Sequence, residues 1–181
     1  SGLIGRELVE NLSKKFKIFA VYNSNHNLKK IKNVIWLKHN FNKKFTKKLD
    51  DKPSYIIHCA VDQKYLKKNK KKYINLNVKI LKNLIDLAKN NQSEFIMNLS
   101  SMDVYGKIIN NVVIEKTLPN KPNIYGKMKF ISEQMLFKQK INFINLRLPG
   151  VMSRNNEMYE RPWLKKIIKE LKENKNITVY N

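Results

Sequence analysis

The stretch "INLNVKILKNLIDLAKNNQSEFIMNLS" (residues 74–100) carries two hydrophobic periods back to back. Val78, Leu81, Leu84, Ile85 and Ala88 recur at three- and four-residue steps, which predicts an amphipathic helix over 74–91. "EFIMNLS" (94–100) is a continuous apolar run, the pattern of a strand buried on both faces. A helix that feeds such a strand forms half of a crossover between parallel strands. Working outward, "YIIHCA" (55–60) supplies the strand before the helix. A helix over 123–138 and the strand "NFINLRL" (142–148) follow. Upstream lie the helical spacing of "LIGRELVENLSKK" and the short strands "KIFAVY" (17–22) and "VIWL" (34–37). Downstream, "PWLKKIIKELKENK" (162–175) predicts a helix with Pro162 near its first turn, and "ITVY" (177–180) begins a strand. The alternation predicts an α/β fold, a doubly wound parallel sheet with helices on both faces.

Composition narrows the class. At 181 residues the chain is one domain by default. It has no run of 18 apolar residues and no signal-like start, so neither a membrane span nor a membrane partner is expected. Cys59 sits in an apolar run and is expected to fill core; a lone cysteine forms no intrachain disulfide and fits a cytoplasmic location. The net charge of +23 raises a nucleic-acid partner. The cations are 33 Lys against 4 Arg, scattered among 25 Asn, whereas base and phosphate recognition favours the guanidinium fork. A coding bias toward Lys and Asn accounts for the charge better. The densest basic run, "KYLKKNKKKY" (64–73), is expected to be a solvated face.

Three stretches carry chemistry. "SGLIG" (1–5) places Gly2 and Gly5 three apart at a helix start, where backbone N–H groups and the helix dipole receive a pyrophosphate. After "KIFAVY", where a carboxylate would select the ribose hydroxyls of NAD, stand Tyr22, Asn23 and Ser24, so NADP stays open beside NAD. "NLSSMDVYG" (98–106) brings Ser100 and Ser101 to the end of a strand, the side on which open α/β sheets bind ligands. In "NIYGKMKFISEQML" (123–136), Tyr125 and Lys129 are four apart and share one helix face. An ammonium beside a phenol favours the phenolate, which suits proton exchange with a sugar hydroxyl.

In this order the motifs resemble the extended short-chain dehydrogenase/reductase family, the NAD-dependent epimerase/dehydratase group that acts on nucleotide sugars. The resemblance rests on "SGLIG", "IIHCA", "NVKILKNLIDLAK" (77–89), Ser-Ser-x-x-Val-Tyr-Gly, "LPNKPNIYGKMKFISEQML" and "LRLPG", and spans essentially the whole chain. It implies a Rossmann-like NAD(P)-binding domain over 1–150 and the start of a substrate-binding region over 151–181. It also implies that the first strand and the rest of the substrate region lie outside the chain, a fragment cut at both ends. The implied catalytic residues are Ser101, Tyr125 and Lys129. The implied cofactor-binding residues are Gly2, Gly5, Asn23, Asn40, Ala60, Val61, Asn77, Tyr125, Lys129 and Pro149, with Gly150 beside Pro149; no metal is implied. The implied partner is a nucleotide sugar, with pairing into a homodimer common in the family.

Departures from the family pattern refine the expectation. Asn40 stands where an aspartate often meets the adenine. Met102 and Asp103 replace the Asp-Glu pair of sugar 4,6-dehydratases, which disfavours that reaction. Gly150 replaces an asparagine common in sugar epimerases. The leading expectation is an NAD(P)-dependent epimerase or reductase. The alternative is a non-catalytic NAD(P)- or RNA-binding protein of the same fold.

Overall fold

The structure is a computed structural model that describes residues 2–24, 28–109, 112–151 and 162–176. Its elements run α1 (Leu3–Leu12), β1 (Ile18–Tyr22), β2 (Val34–Lys38), β3 (Tyr55–His58), α2 (Lys70–Asn90), β4 (Phe95–Ser101), a 3-10 turn (Met102–Val104), α3 (Ile124–Phe137), β5 (Asn142–Leu148) and α4 (Pro162–Lys172). The strand expected over 177–180 lies outside the described residues.

All strand pairs are parallel, as the continuous apolar runs require. They form two ladders, β1–β2 and β3–β4–β5, the arrangement expected of a doubly wound parallel sheet without its first strand. No described strand lies between β1 and β3 to join them. The larger ladder is a βαβαβ unit with α2 and α3 as its crossovers.

The core explains why α2 and α3 form where they do. Leu81, Leu84, Ile85 and Ala88 of α2 meet Ile96 of β4 and Leu136 of α3 in one buried cluster. Ile56 of β3 and Phe143 of β5 pack against it, so both helices cover the same face of the sheet. Alternate residues of β4 share that face, which places Ile96, Asn98 and Ser100 beneath the helices. Asn98 donates from Nδ2 to Asn145 Oδ1 on β5 at 2.7 Å. Asn83 Nδ2 reaches Phe41 O at 2.6 Å and ties α2 to the segment after β2.

α2 starts four residues before the predicted boundary. Asn69 caps it, its side chain accepting from the Lys72 N–H at 2.9 Å. The lysine run therefore divides between a turn and the first turn of a helix, and stays exposed.

The entry to α3 is fixed by a close approach. Asn123 caps the helix by accepting from the Gly126 N–H at 2.8 Å. A Cβ on Gly126 would stand 2.0 Å from the Asp103 carbonyl oxygen, so only glycine lets α3 touch the 3-10 turn. Two effects oppose each other on Gly126→Ala: helix propensity gains about 1 kcal/mol, while a backbone clash costs up to about 3 kcal/mol. The clash partner is main chain and has little room to yield, so we expect net destabilisation. A urea midpoint for Gly126→Ala at or above that of the parent would contradict this.

Candidate active site

A cleft of about 440 Å³ opens at the C-terminal end of the larger ladder. The end of β4 supplies Ser101 and the 3-10 turn supplies Met102 and Asp103; α3 supplies Tyr125 and Lys129. The segment after β5 supplies Pro149 and Gly150, the segment after β3 supplies Cys59 and Val61, and α1 supplies Ile4. Residues separated by up to about 145 positions thus meet around one opening.

Ser101 caps the 3-10 turn: its hydroxyl oxygen accepts from the Asp103 N–H at 3.2 Å. That bond occupies a lone pair and leaves the hydroxyl proton to be donated elsewhere. The Lys129 Nζ lies 5.7 Å from the centre of the Tyr125 ring and donates to Leu99 O at 2.6 Å. Lys129 is buried, and burial lowers its pKa to about 8, against opposing contributions from Cys59 and Glu133.

Two buried groups stay uncharged. His58 at the end of β3 is buried, and its Nδ1 has no partner among the described residues. Burial, then the Lys129 charge, pushes its pKa down to about 3, so the imidazole is neutral. Tyr73 on α2 is fully buried, its hydroxyl likewise without a hydrogen-bond partner among the described residues. Burial, then Tyr125 and Asp62, raises its pKa to about 12 and keeps it protonated.

Glu133, one helical turn beyond Lys129, is almost fully buried. It accepts from the Ser100 hydroxyl at 2.5 Å and from two nitrogens of Arg147 on β5, Nη2 at 2.7 Å and Nε at 3.0 Å. Arg147 also donates from Nη1 to Glu115 O at 3.1 Å and lies 4.7 Å over the Tyr105 ring. Its pKa is raised further, chiefly by the bond to Glu133. One carboxylate thus ties α3 to β4 and β5 directly behind the cleft.

The other expected residues fall into two groups. Asn77 is buried in α2, where its Oδ1 accepts from the Asp62 N–H at 2.8 Å and its Nδ2 donates to Asp62 O at 3.0 Å. It clamps the segment beside Val61 and does not line the cleft. Gly5 lets α1 approach that segment, since a Cβ there would stand 3.3 Å from Cys59 Sγ. Gly2 caps α1 with open space around it. Ala60 is exposed next to the cleft-lining Cys59 and Val61. Asn23 is exposed after β1. Asn40 is exposed after β2 and accepts from the Asn42 N–H at 2.9 Å in a local turn. Neither lines the cleft.

Cys59 is a correction: it is exposed on the cleft wall instead of filling core. The apolar run continues to Ala60, but the strand ends at His58, so the thiol emerges beyond the sheet. Sequence reasoning also gave no role to Ile4, His58, Tyr73 or Arg147. Of these, His58 carried a signal, as the polar break in "IIHCA".

The whole chain, residues 1–181, matches the model of the NAD dependent epimerase/dehydratase family. The chain belongs to that family. The fold matches WbmG of Bordetella bronchiseptica, solved with NAD, at a TM-score of 0.78 and 17% identity, covering 97% of this chain and 58% of that one. It matches the UDP-N-acetylglucosamine 4-epimerase from Methanobrevibacter ruminantium M1, in complex with UDP-N-acetylmuramic acid, at 0.77 and 19%, covering 99% and 63%. It matches the UDP-glucuronic acid 4-epimerase from Bacillus cereus, in complex with NAD, at 0.75 and 20%, covering 99% and 63%. The chain therefore spans about three fifths of the length of these structures. Comparison with curated proteins finds no match.

Burial of Lys129 has a pH signature. Its pKa is about 8 in the fold and about 10.5 in the open chain, so between those values the unfolded state holds more protons. The cost of the buried ammonium is thus complete below pH 8 and fades as pH rises toward 10.5. Lys129→Met is expected to raise the urea midpoint at pH 7, with the gain over the parent shrinking across that window. A gain that grows with pH, or a loss at pH 7, would refute the assignment.

Proposed function

We propose that this chain is the dinucleotide-binding part of an NAD-dependent epimerase that acts on a nucleotide sugar, with Tyr125 as its acid/base. The observation that carries the reading is the convergence of Ser101, Tyr125 and Lys129 on one cleft at the C-terminal end of a parallel sheet. Family membership and the NAD-bound relatives of the same fold support it.

The residues present fit a dinucleotide. The N-terminus of α1 has no side-chain cap and no acidic residue in its first turn, leaving N–H groups free for a pyrophosphate. Gly2 adds open space there, and Ile4 brings the same helix to the cleft. Val61, Pro149 and Gly150 would flank the nicotinamide, and Asn77 would keep the Val61 segment in place. When bound, the nicotinamide supplies the redox step by accepting a hydride from a sugar carbon and returning it.

The chain's own residues handle the proton. Tyr125 takes the proton from the sugar hydroxyl as that carbon becomes a carbonyl. Ser101, whose proton is free to donate, hydrogen-bonds the same oxygen. Lys129 stabilises the phenolate through its charge and holds the ribose hydroxyls. Returning the proton from Tyr125 after reduction on the opposite face inverts the carbon. The named epimerases among the relatives favour this outcome over simple reduction. Elimination of water is disfavoured because Met102 and Asp103, both on the cleft wall, replace the Asp-Glu pair of sugar 4,6-dehydratases and leave one carboxyl group where that pair has two.

Tyr125→Phe deletes one oxygen and leaves the ring. In the full-length protein, assayed with a panel of UDP-sugars, turnover is expected to fall by about 100-fold or more, with NAD affinity nearly unchanged. Unchanged turnover would exclude Tyr125 as the acid/base.

A further inference from the structure

Tyr73 carries a hydroxyl that the fold itself does not use. The side chain is fully buried, and its oxygen has no hydrogen-bond partner among the described residues. Sealing a phenol away from water without a partner costs stability, and a phenylalanine would fill nearly the same space without that cost. The oxygen is closed off within this chain, so a segment outside the described residues reaches it only by displacing them. The group keeps its proton at neutral pH and so always has one to donate.

The helices bring that hydroxyl to the level of the base. α2 and α3 are successive crossovers between parallel strands on one face of the sheet, so they run in the same direction. Leu84 of α2 and Leu136 of α3 belong to the same buried cluster. Tyr73 precedes Leu84 by eleven residues, and Tyr125 precedes Leu136 by eleven. Each step is about three turns and returns to the same helix face. The two phenols therefore stand at one height on neighbouring helices, at the end of the sheet where the cleft opens. Tyr125 lines that cleft and Tyr73 does not.

Two titratable groups act on the Tyr73 hydroxyl, Tyr125 first and Asp62 second. Asp62 is engaged elsewhere: its Oδ1 accepts from the Lys64 N–H at 2.8 Å, and Asn77 clamps its backbone. Asn77 also donates to the Tyr73 carbonyl at 3.0 Å and holds that turn of α2 in place. We propose that Tyr73 is a positioning residue, its hydroxyl donating to the Tyr125 oxygen when that phenol gives up its proton. The proposal rests on Tyr125 being the acid/base. The bond is open in the resting site, as catalytic hydrogen bonds often are before charge develops. A hydrogen bond to a charged oxygen is stronger than one to a neutral oxygen, so Tyr73 favours the phenolate over the phenol. Lys129, 5.7 Å from the Tyr125 ring centre, acts on the same phenolate through its charge, whereas Tyr73 acts through one directed O–H. Tyr73 keeps its own proton throughout.

The test is Tyr73→Phe in the full-length protein. Ultraviolet difference titration, each protein against the same protein carrying Tyr125→Phe, isolates the Tyr125 phenolate without any need for turnover. Loss of the donor is expected to raise that midpoint by about one pH unit, the size of one hydrogen bond to a charged group. With the panel of UDP-sugars, the acid limb of the kcat profile should move up by the same amount. Turnover on that limb should fall about tenfold and recover as pH rises past it. NAD affinity should hold, and the urea midpoint should equal or exceed that of the parent, since an unpartnered polar group is gone. An unmoved phenolate midpoint would overturn the proposal. So would turnover lowered equally at every pH together with a lower urea midpoint, the result of a packing role alone. Full turnover in Tyr125→Phe would overturn the acid/base reading and this proposal with it, whereas lost turnover there with an unmoved midpoint in Tyr73→Phe overturns this proposal alone.

Discussion

The arrangement depends on one buried carboxylate. Glu133 projects from the buried face of α3 with almost no contact with water, and its charge is met by Arg147 from β5 and the Ser100 hydroxyl from β4. An unpaired carboxylate there would be costly, so the three elements are obliged to stay together. Tyr125 and Lys129 lie on the same helix as Glu133, and Ser101 follows Ser100 directly. The ion pair that closes the structure behind the cleft therefore also sets the spacing of the groups that face it.

Packing supplies the rest of that constraint. The aliphatic cluster between α2, α3 and β4 holds the two crossover helices on one face of the sheet. Gly126 then lets the start of α3 close onto the 3-10 turn after β4, which brings Tyr125 toward Ser101. Asn77 secures the opposite wall through the Asp62 backbone. The cleft is thus bounded by turns and strand ends, each anchored to a buried group. Within it Lys129 is held against the fold's preference, its ammonium desolvated and bonded to Leu99 O. Such a group suits a site that gains when an anion or a set of hydroxyls arrives.

Much of this was legible in the sequence because it is periodic or local. The strand over 142–148 and the helix behind Tyr125 follow directly from apolar spacing, and the four-residue step between Tyr125 and Lys129 put both on one face. What local pattern could not convey was long-range pairing. Glu133 and Arg147 sit on different elements, so nothing in their spacing joins them. Asn77 spends its amide on a backbone 15 residues away, which no side-chain pattern announces. Cys59 was misread because an apolar run does not mark where a strand leaves the sheet. The start of α2 was placed late because lysines obscured the Asn69 cap.

A double-mutant cycle on Arg147 and Glu133 tests the central claim most directly, with stability read from urea unfolding of the full-length protein. Removing the guanidinium alone, as Arg147→Met, should cost about 3–5 kcal/mol because it strands a buried charge. Adding Glu133→Leu should recover most of that loss. Single changes that each cost less than about 1 kcal/mol, or losses that simply add, would show that this ion pair does not hold the site together.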